Sequence, residues 1–364
     1  KKGTLENLVM FNGVYKNKRI LITGHTGFKG SYLALWLKKL GADLVGISLP
    51  IEDELSHWKL INLDMESHYF DIKNLSKLRS TIEKIKPDII FHLAAQALVI
   101  NSYHNPIKTW TSNLVGTVNI LESSRKIDNL EALVCITTDK CYQNINKLEG
   151  YEEKDAMGGY DPYSASKAAC EIAIASYRNS FFNNSRPLVA SARSGNVIGG
   201  GDWSDNRLIP DLMRAIVSGS SLEIRSPKAT RPWHHVLETT AGYLRLGQCL
   251  LEGNETCASA YNFGPSKENN CSVETLLTKT KDVWNKVSWQ IDSKNWPYEA
   301  SELYLNSQKA NNELNWSEVW DLNTSIFYTI EWYRAWYEEN IIISNNHLDL
   351  YFQKLKEQKF TWMN

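Results

Sequence analysis

Arg19-Ile20-Leu21-Ile22-Thr23-Gly24-His25-Thr26-Gly27-Phe28-Lys29-Gly30 runs from an apolar strand pattern through a glycine turn towards a helical one. Its glycines recur as G-x-x-G-x-x-G. That spacing lets the backbone turn sharply and approach a ligand closely. The helix that follows offers free N–H groups and the positive end of its dipole. The reading is a seat for a dinucleotide pyrophosphate, with Gly24, Thr26, Gly27, Phe28 and Gly30 as its contacts.

Outward from this turn, Ser31 to Leu40 is an amphipathic helix that Gly41 stops. Strand patterns recur at Leu44–Ser48, Asp88–Ala95, Leu133–Thr138 and Leu188–Ala192, with helical stretches around 106–127 and 163–180. This βαβα rhythm predicts an α/β fold, a Rossmann-type doubly wound parallel sheet with helices on both faces. After Gly199-Gly200-Gly201-Asp202-Trp203 the rhythm weakens into helices near 207–218 and 235–252, a short strand at 221–225, and a tail rich in Trp and Asn that includes Trp296. Residues 1–200 are therefore expected to form the NAD-binding domain, with Thr138, Tyr163 and Lys167 in it. Residues 201–364 are expected to be mainly a smaller C-terminal α/β substrate-binding lobe, with a strand or helix returning to the first domain.

A dinucleotide site of this type usually carries Asp or Glu at the end of the second strand, about 20 residues on, to accept from ribose hydroxyls. Ser48 stands there, with Glu52 and Asp53 slightly later and no arginine to meet a 2′-phosphate, so NAD is expected over NADP. Asp71, in Phe70-Asp71-Ile72, suits the adenine amino group, and Leu93-Ala94-Ala95 lies at a strand end that faces the cofactor.

Composition excludes other classes. The 364 residues carry a formal net charge of -1, which gives no global case for nucleic acid or an anionic membrane. No apolar stretch approaches the roughly 20 residues of a membrane span. The start, Lys1-Lys2-Gly3-Thr4-Leu5-Glu6, has no apolar core of a secretory signal. Six scattered cysteines and eight histidines show no metal-ligand spacing, so no metal is expected and a reducing compartment, the cytoplasm, is.

Tyr163 and Lys167, in Asp161-Pro162-Tyr163-Ser164-Ala165-Ser166-Lys167, are four residues apart, which puts a phenol and an ammonium on one helix face. A cation there favours phenolate and would draw the tyrosine towards a working range. With Thr23–Gly30, His92-Leu93-Ala94-Ala95-Gln96 and Asn113, this pair makes the chain resemble an extended short-chain dehydrogenase/reductase acting on nucleotide sugars. Thr137-Thr138-Asp139-Lys140-Cys141-Tyr142, Met157–Ser164, Gly195–Trp203 and Arg231–Glu238 are similar to its CDP-glucose 4,6-dehydratase branch, over residues from about 18 to 240.

The resemblance implies NAD reduced and restored within one turnover, on CDP-glucose or a related nucleotide sugar. It implies Tyr163 as base at sugar C4, Lys167 on the phenolate and the nicotinamide ribose, and Thr138 on the C4 oxygen. Asp139 would be the acid for the departing C6 hydroxyl. Lys140 would remove the C5 proton, where the dTDP-glucose branch has Glu; a plain ion pair at a strand end, or a charged Lys140 polarising the intermediate, is the alternative. Asn196, Arg207, Arg225, Arg231 and Gln96 are the implied substrate contacts, guanidinium matching phosphate oxygens bidentately. A homodimer through a four-helix bundle, with a tetramer beyond it, and a place in lipopolysaccharide biosynthesis also follow from the resemblance. The competing readings are another nucleotide-sugar dehydratase, a 4-epimerase, or a non-catalytic NAD-binding sensor.

Overall fold

The computed structural model describes residues 10–52, 55–183, 185–292 and 302–363; Lys1–Glu6, Asp53 and Trp296 lie outside them. Seven strands form one parallel sheet: β1 (Arg19–Thr23), β2 (Asp43–Ser48), β3 (Glu66–Tyr69), β4 (Ile89–His92), β5 (Ala132–Ile136), β6 (Leu188–Ser194) and β7 (Ala260–Phe263). Their order is β7-β6-β5-β4-β1-β2-β3, so the sequence reverses direction beside β1. Ligands in open α/β sheets bind at that reversal, beyond the carboxyl ends of the strands.

Alternation along each strand sends side chains to two dry faces. Ile20, Ile22, Phe91 and Val134 face a core shared with α1 (Phe28–Lys39). Leu21, Ile90, Leu133 and Val189 face the other core, under α2 (Leu75–Ile85). That second face is completed by α3 (Pro106–Trp110), which continues through a π turn at Thr111–Val115 into α4 (Gly116–Ser124), and by α5 (Pro162–Phe181). The helical pattern read at 106–127 is therefore real but widened in its middle, where Asn113 is turned inwards.

Beyond residue 200 the chain divides its allegiance. The smaller lobe gathers α6 (Leu208–Ser218), the strand Leu222–Ile224 paired with Trp289–Ile291, and a helix at Val273–Val283 around Leu212, Met213, Trp233 and Leu276. By contrast, α7 (Val236–Leu251) is buried almost all round and packs on the β1 face of the sheet. The helix α8 (Leu322–Glu339) closes the lobe, and α9 (Ser344–Glu357) returns Leu348, Tyr351 and Phe352 to the first core, against Trp36. The strand read as Asp88–Ala95 stops at His92, because residues 93–95 leave the sheet to line the cavity described below. Among the described residues no helix is long and apolar enough to cross a membrane.

Candidate active site

The glycine turn is built by close approach of backbone. Gly24 adopts φ +76°, and a Cβ there would lie 2.7 Å from the Ala94 nitrogen. A Cβ on Gly30 would fall 2.1 Å from the Gly24 carbonyl oxygen. Gly27 caps α1 without any side-chain hydrogen bond, so the first N–H groups of the helix are left for a ligand. A cradle that side chains would fill, at the head of an uncapped helix, fits the pyrophosphate of a dinucleotide.

From this turn a cavity of about 1010 Å³ runs across the carboxyl ends of the strands into the smaller lobe. Gly24, Thr26, Gly27, Phe28 and Gly30 line its near end, followed by Ser48, Asp71, Ile72 and Leu93-Ala94-Ala95. Ser48 is buried, and its hydroxyl meets the Thr26 N–H at 3.4 Å. Asp71 is paired with Lys73 at 3.3 Å. No carboxylate stands at the Ser48 position itself, as the sequence indicates.

The middle of the cavity is set by two local capping arrangements. Asp161 caps α5, accepting from the Ser164 N–H at 2.9 Å and the Ser164 hydroxyl at 2.6 Å, with Pro162 at the first helical position. This start puts Tyr163 and Lys167 one turn apart, both facing the cavity. At the end of β5, Thr138 caps the single turn Asp139–Cys141. Its hydroxyl donates to Asp139 Oδ1 at 2.9 Å, and Lys140 Nζ donates to the same oxygen at 3.2 Å and to Asn196 Oδ1 at 3.1 Å.

Burial pushes the Tyr163 phenol above its ordinary value, while hydrogen bonding with Thr138 pulls it back and Asp139 adds to the rise. The expected lowering by Lys167 is not what the protein alone provides. Lys167 turns its ammonium to the Ile136 carbonyl at 3.1 Å, and burial lowers its own pKa. The desolvation cost of a buried phenolate outweighs what a neighbouring cation returns.

Asp139 departs from the other assigned residues. It is 1% exposed and does not line the cavity, its Oδ1 being shared by Thr138 and Lys140 and its Oδ2 having no partner. Lys140 is the member of that pair presented to a ligand.

At the far end Asn196, Arg207, Arg225 and Arg231 all line the wall. Arg207 is held by Asp202 at 2.9 Å, and Arg231 is buried. Gln96 also lines the cavity, but its amide is committed to its own loop: Nε2 donates to the Leu98 carbonyl at 3.0 Å and to Thr109 Oγ1 at 2.9 Å. His234 and His235 are buried outside the cavity, His235 accepting from the Leu237 N–H and packing on Trp320. Lys29 is a wall residue missing from the sequence reading. Its ammonium donates to Ser194 Oγ at 2.7 Å, and burial, then the Arg207 charge, lowers its pKa to about 7. A lysine inside a glycine turn was the available signal.

The family model described as GDP-mannose 4,6 dehydratase matches residues 21–327. A CDP-glucose 4,6-dehydratase of Salmonella typhimurium is 42% identical over 347 residues, 93% of this chain and 97% of its own. Among solved structures, an epimerase from Methanothermobacter thermautotrophicus superposes with TM-score 0.80 at 21% identity, covering 91% of this chain and 96% of that one. A dTDP-glucose 4,6-dehydratase of Bacillus anthracis, in complex with NAD, gives 0.72 at 20% identity, covering 88% and 97%. These two likenesses show the fold.

Proposed function

Because the chain belongs to the GDP-mannose 4,6-dehydratase family, we propose that it is an NAD-dependent CDP-glucose 4,6-dehydratase, a hydro-lyase forming CDP-4-dehydro-6-deoxy-D-glucose. The observation that carries the substrate is the likeness, along nearly the whole of both chains, to the Salmonella enzyme. The glycine cradle is the support for the cofactor. NAD bound there supplies the hydride acceptor for sugar C4 and the donor for C6.

The chain's own residues account for the protons. Tyr163 takes the proton of the C4 hydroxyl, with Thr138 holding that oxygen and Lys167 offsetting the charge of the phenolate. With C4 a ketone, the C5 proton is acidic. Lys140, in its uncharged form, removes it, and the C6 hydroxyl leaves as water with a proton delivered from the Lys140–Asp139 pair. Asp139 acts through Lys140, the residue presented to the sugar. When C6 receives its hydride, C5 takes back a proton equal to the one Tyr163 gained, and the site returns to its starting protonation. Arg207, Arg225, Arg231 and Asn196 hold the nucleotide diphosphate.

Incubation with CDP-, UDP-, dTDP- and GDP-glucose, followed by mass spectrometry, tests this reading. Loss of water from CDP-glucose is expected. A product of unchanged mass would make the protein an epimerase, and binding of NAD without turnover of any of the four would make it a sensor.

The same reading extends to assembly. The helices α3 and α5, with the π turn that leads from α3 into α4, expose Ile107, Trp110, Val115 and Ile172, apolar side chains that a homodimeric four-helix bundle would cover. The cytoplasm, and the building of surface-polysaccharide deoxysugars, are the setting that fits.

A further inference from the structure

One buried polar chain takes part in none of these steps. Glu171 lies one turn beyond Lys167 on α5 and is 4% exposed. It accepts from the Thr137 hydroxyl, from Ser191 Oγ at 2.8 Å and from the Arg193 guanidinium at 2.8 Å. Arg193, equally buried on β6, also donates to the Tyr142 hydroxyl at 2.6 Å and to the Glu153 carbonyl at 3.2 Å, and its guanidinium stands 5.1 Å from the Tyr142 ring. The Tyr142 hydroxyl in turn donates to Asn262 Oδ1 at 2.7 Å, on β7.

This chain grips residues 137–142 at both ends. Thr137 immediately precedes Thr138, and Tyr142 follows Lys140 by two residues. Between the grips lie Thr138, Asp139 and Lys140. Glu171 itself belongs to the helix that carries Tyr163 and Lys167, eight residues beyond Tyr163, or about 12 Å along the axis. A buried ion pair is weak evidence for stability, since desolvation consumes most of its attraction. Its geometric effect remains: it fixes one segment against another. Burial works to raise the Glu171 pKa and Arg193 overcomes it, so the carboxylate keeps the charge that accepts all three donors.

We propose that Glu171 and Arg193 are positioning residues, which hold the strand-end turn against α5 so that Tyr163 with Thr138 and Lys140 address adjacent carbons of one bound sugar. This rests on the dehydratase reading above. Oxidation at C4 needs Tyr163, Lys167 and Thr138, which the Thr137–Glu171 bond and the helix hold directly. Removal of the C5 proton needs Lys140, whose end of the turn is held through Tyr142 and Arg193. Loosening that end uncouples the two halves of the reaction: sugar that has been oxidised but not dehydrated escapes, and the hydride it gave up stays behind as NADH.

Tyr142→Phe removes a single hydroxyl and keeps the ring stacked on Tyr151 at 5.1 Å, and Arg193→Lys keeps the cation. In both, dehydration of CDP-glucose should slow by roughly tenfold to a hundredfold, the range for a small displacement of a reacting group, with KM changing by less than about twofold if ground-state binding is untouched. The share of nucleotide sugar that has lost two hydrogens but no water should rise, and Arg193→Lys should retain more coupled turnover than Arg193→Ala. Amide hydrogen exchange in peptides covering 138–142 should quicken while those of β1 and α1 stay as in the parent. Equal loss of oxidation and dehydration, or no change in either with unchanged exchange at 138–142, would overturn the proposal. If the parent leaves CDP-glucose untouched, the functional reading falls, and the exchange measurement still decides whether this chain holds the turn. Tyr142→Phe keeps the test open if an Arg193 variant does not fold.

Discussion

The two ends of the cavity present positive charge by opposite means. At the glycine turn the wall is backbone: Gly24 and Gly30 are placed where a Cβ would be 2.7 Å and 2.1 Å from a neighbour, and the helix head supplies the positive field. At the far end the wall is side chain, with Arg207, Arg225 and Arg231 delivered by the smaller lobe and Arg207 already steadied by Asp202. The first end selects by leaving no room and tolerates almost no substitution. The second selects by charge that is partly offset in advance, so each contact contributes modestly and can be lost singly.

Substitutions at and between the ends put that contrast to the test. Tyr163→Phe belongs to neither end and should act on chemistry alone: turnover should fall by about a thousandfold, within the range for a general base, while calorimetric affinity for NAD and CDP-glucose stays close to that of the parent. Gly30→Ala should follow, weakening NAD by roughly a hundredfold because the loop must open to admit a methyl group. Equilibrium binding measures it, and an unchanged Kd would remove the basis of the contrast. Arg207→Ala should be milder, raising KM for CDP-glucose by about tenfold with kcat nearly constant, as for loss of one charge-assisted contact.

Lys29, where the ends meet, gives the smallest effect and the sign is fixed. Its folded pKa of about 7 lies below that of an unfolded lysine, so between those values the unfolded chain holds a proton the folded one has released, and stability rises with pH. Lys29→Met in the absence of ligands should therefore melt about 2 °C above the parent near pH 7, with the gap narrowing as pH rises and closing only near the unfolded lysine value of 10.5. A gap independent of pH would show that the ammonium is not what burial disfavours.

The cofactor end was open to reading in sequence because its parts are neighbours. The strand, turn and helix of residues 19–39 are contiguous, and Tyr163 and Lys167 share one helical turn that Asp161 and Pro162 begin. The strand-end turn is legible for the same reason, but the depth of Asp139 is not, since burial is decided by elements far away in the chain. Nor could spacing reveal Glu171, Arg193 and Tyr142 as one network, the bonded pairs being 22 and 51 positions apart in the sequence. The π turn at Thr111–Val115 is not legible because no residue type in the sequence marks an i→i+5 hydrogen bond. Inward-turned Asn113 donates to Ser166 Oγ at 2.8 Å and receives the Gln96 N–H at 2.8 Å, tying the loop after β4 to α5.

β7 gives the smaller lobe an unexpected mechanical status. The chain leaves the sheet after β6 at Ser194, builds much of the far wall of the cavity, and re-enters at Ala260 as the strand next to β6, Ala260 lying opposite Ser191. That part of the wall is thus a long excursion pinned at both ends to adjacent rails, not a module hung from a linker. A fragment cut at residue 200 would lose its outer strand and leave β6 as an open edge. It would also strip α7 and α9 from the β1 face, uncovering Ile20, Phe91 and Val134. Residues before 200 and residues after it therefore share one sheet and one core.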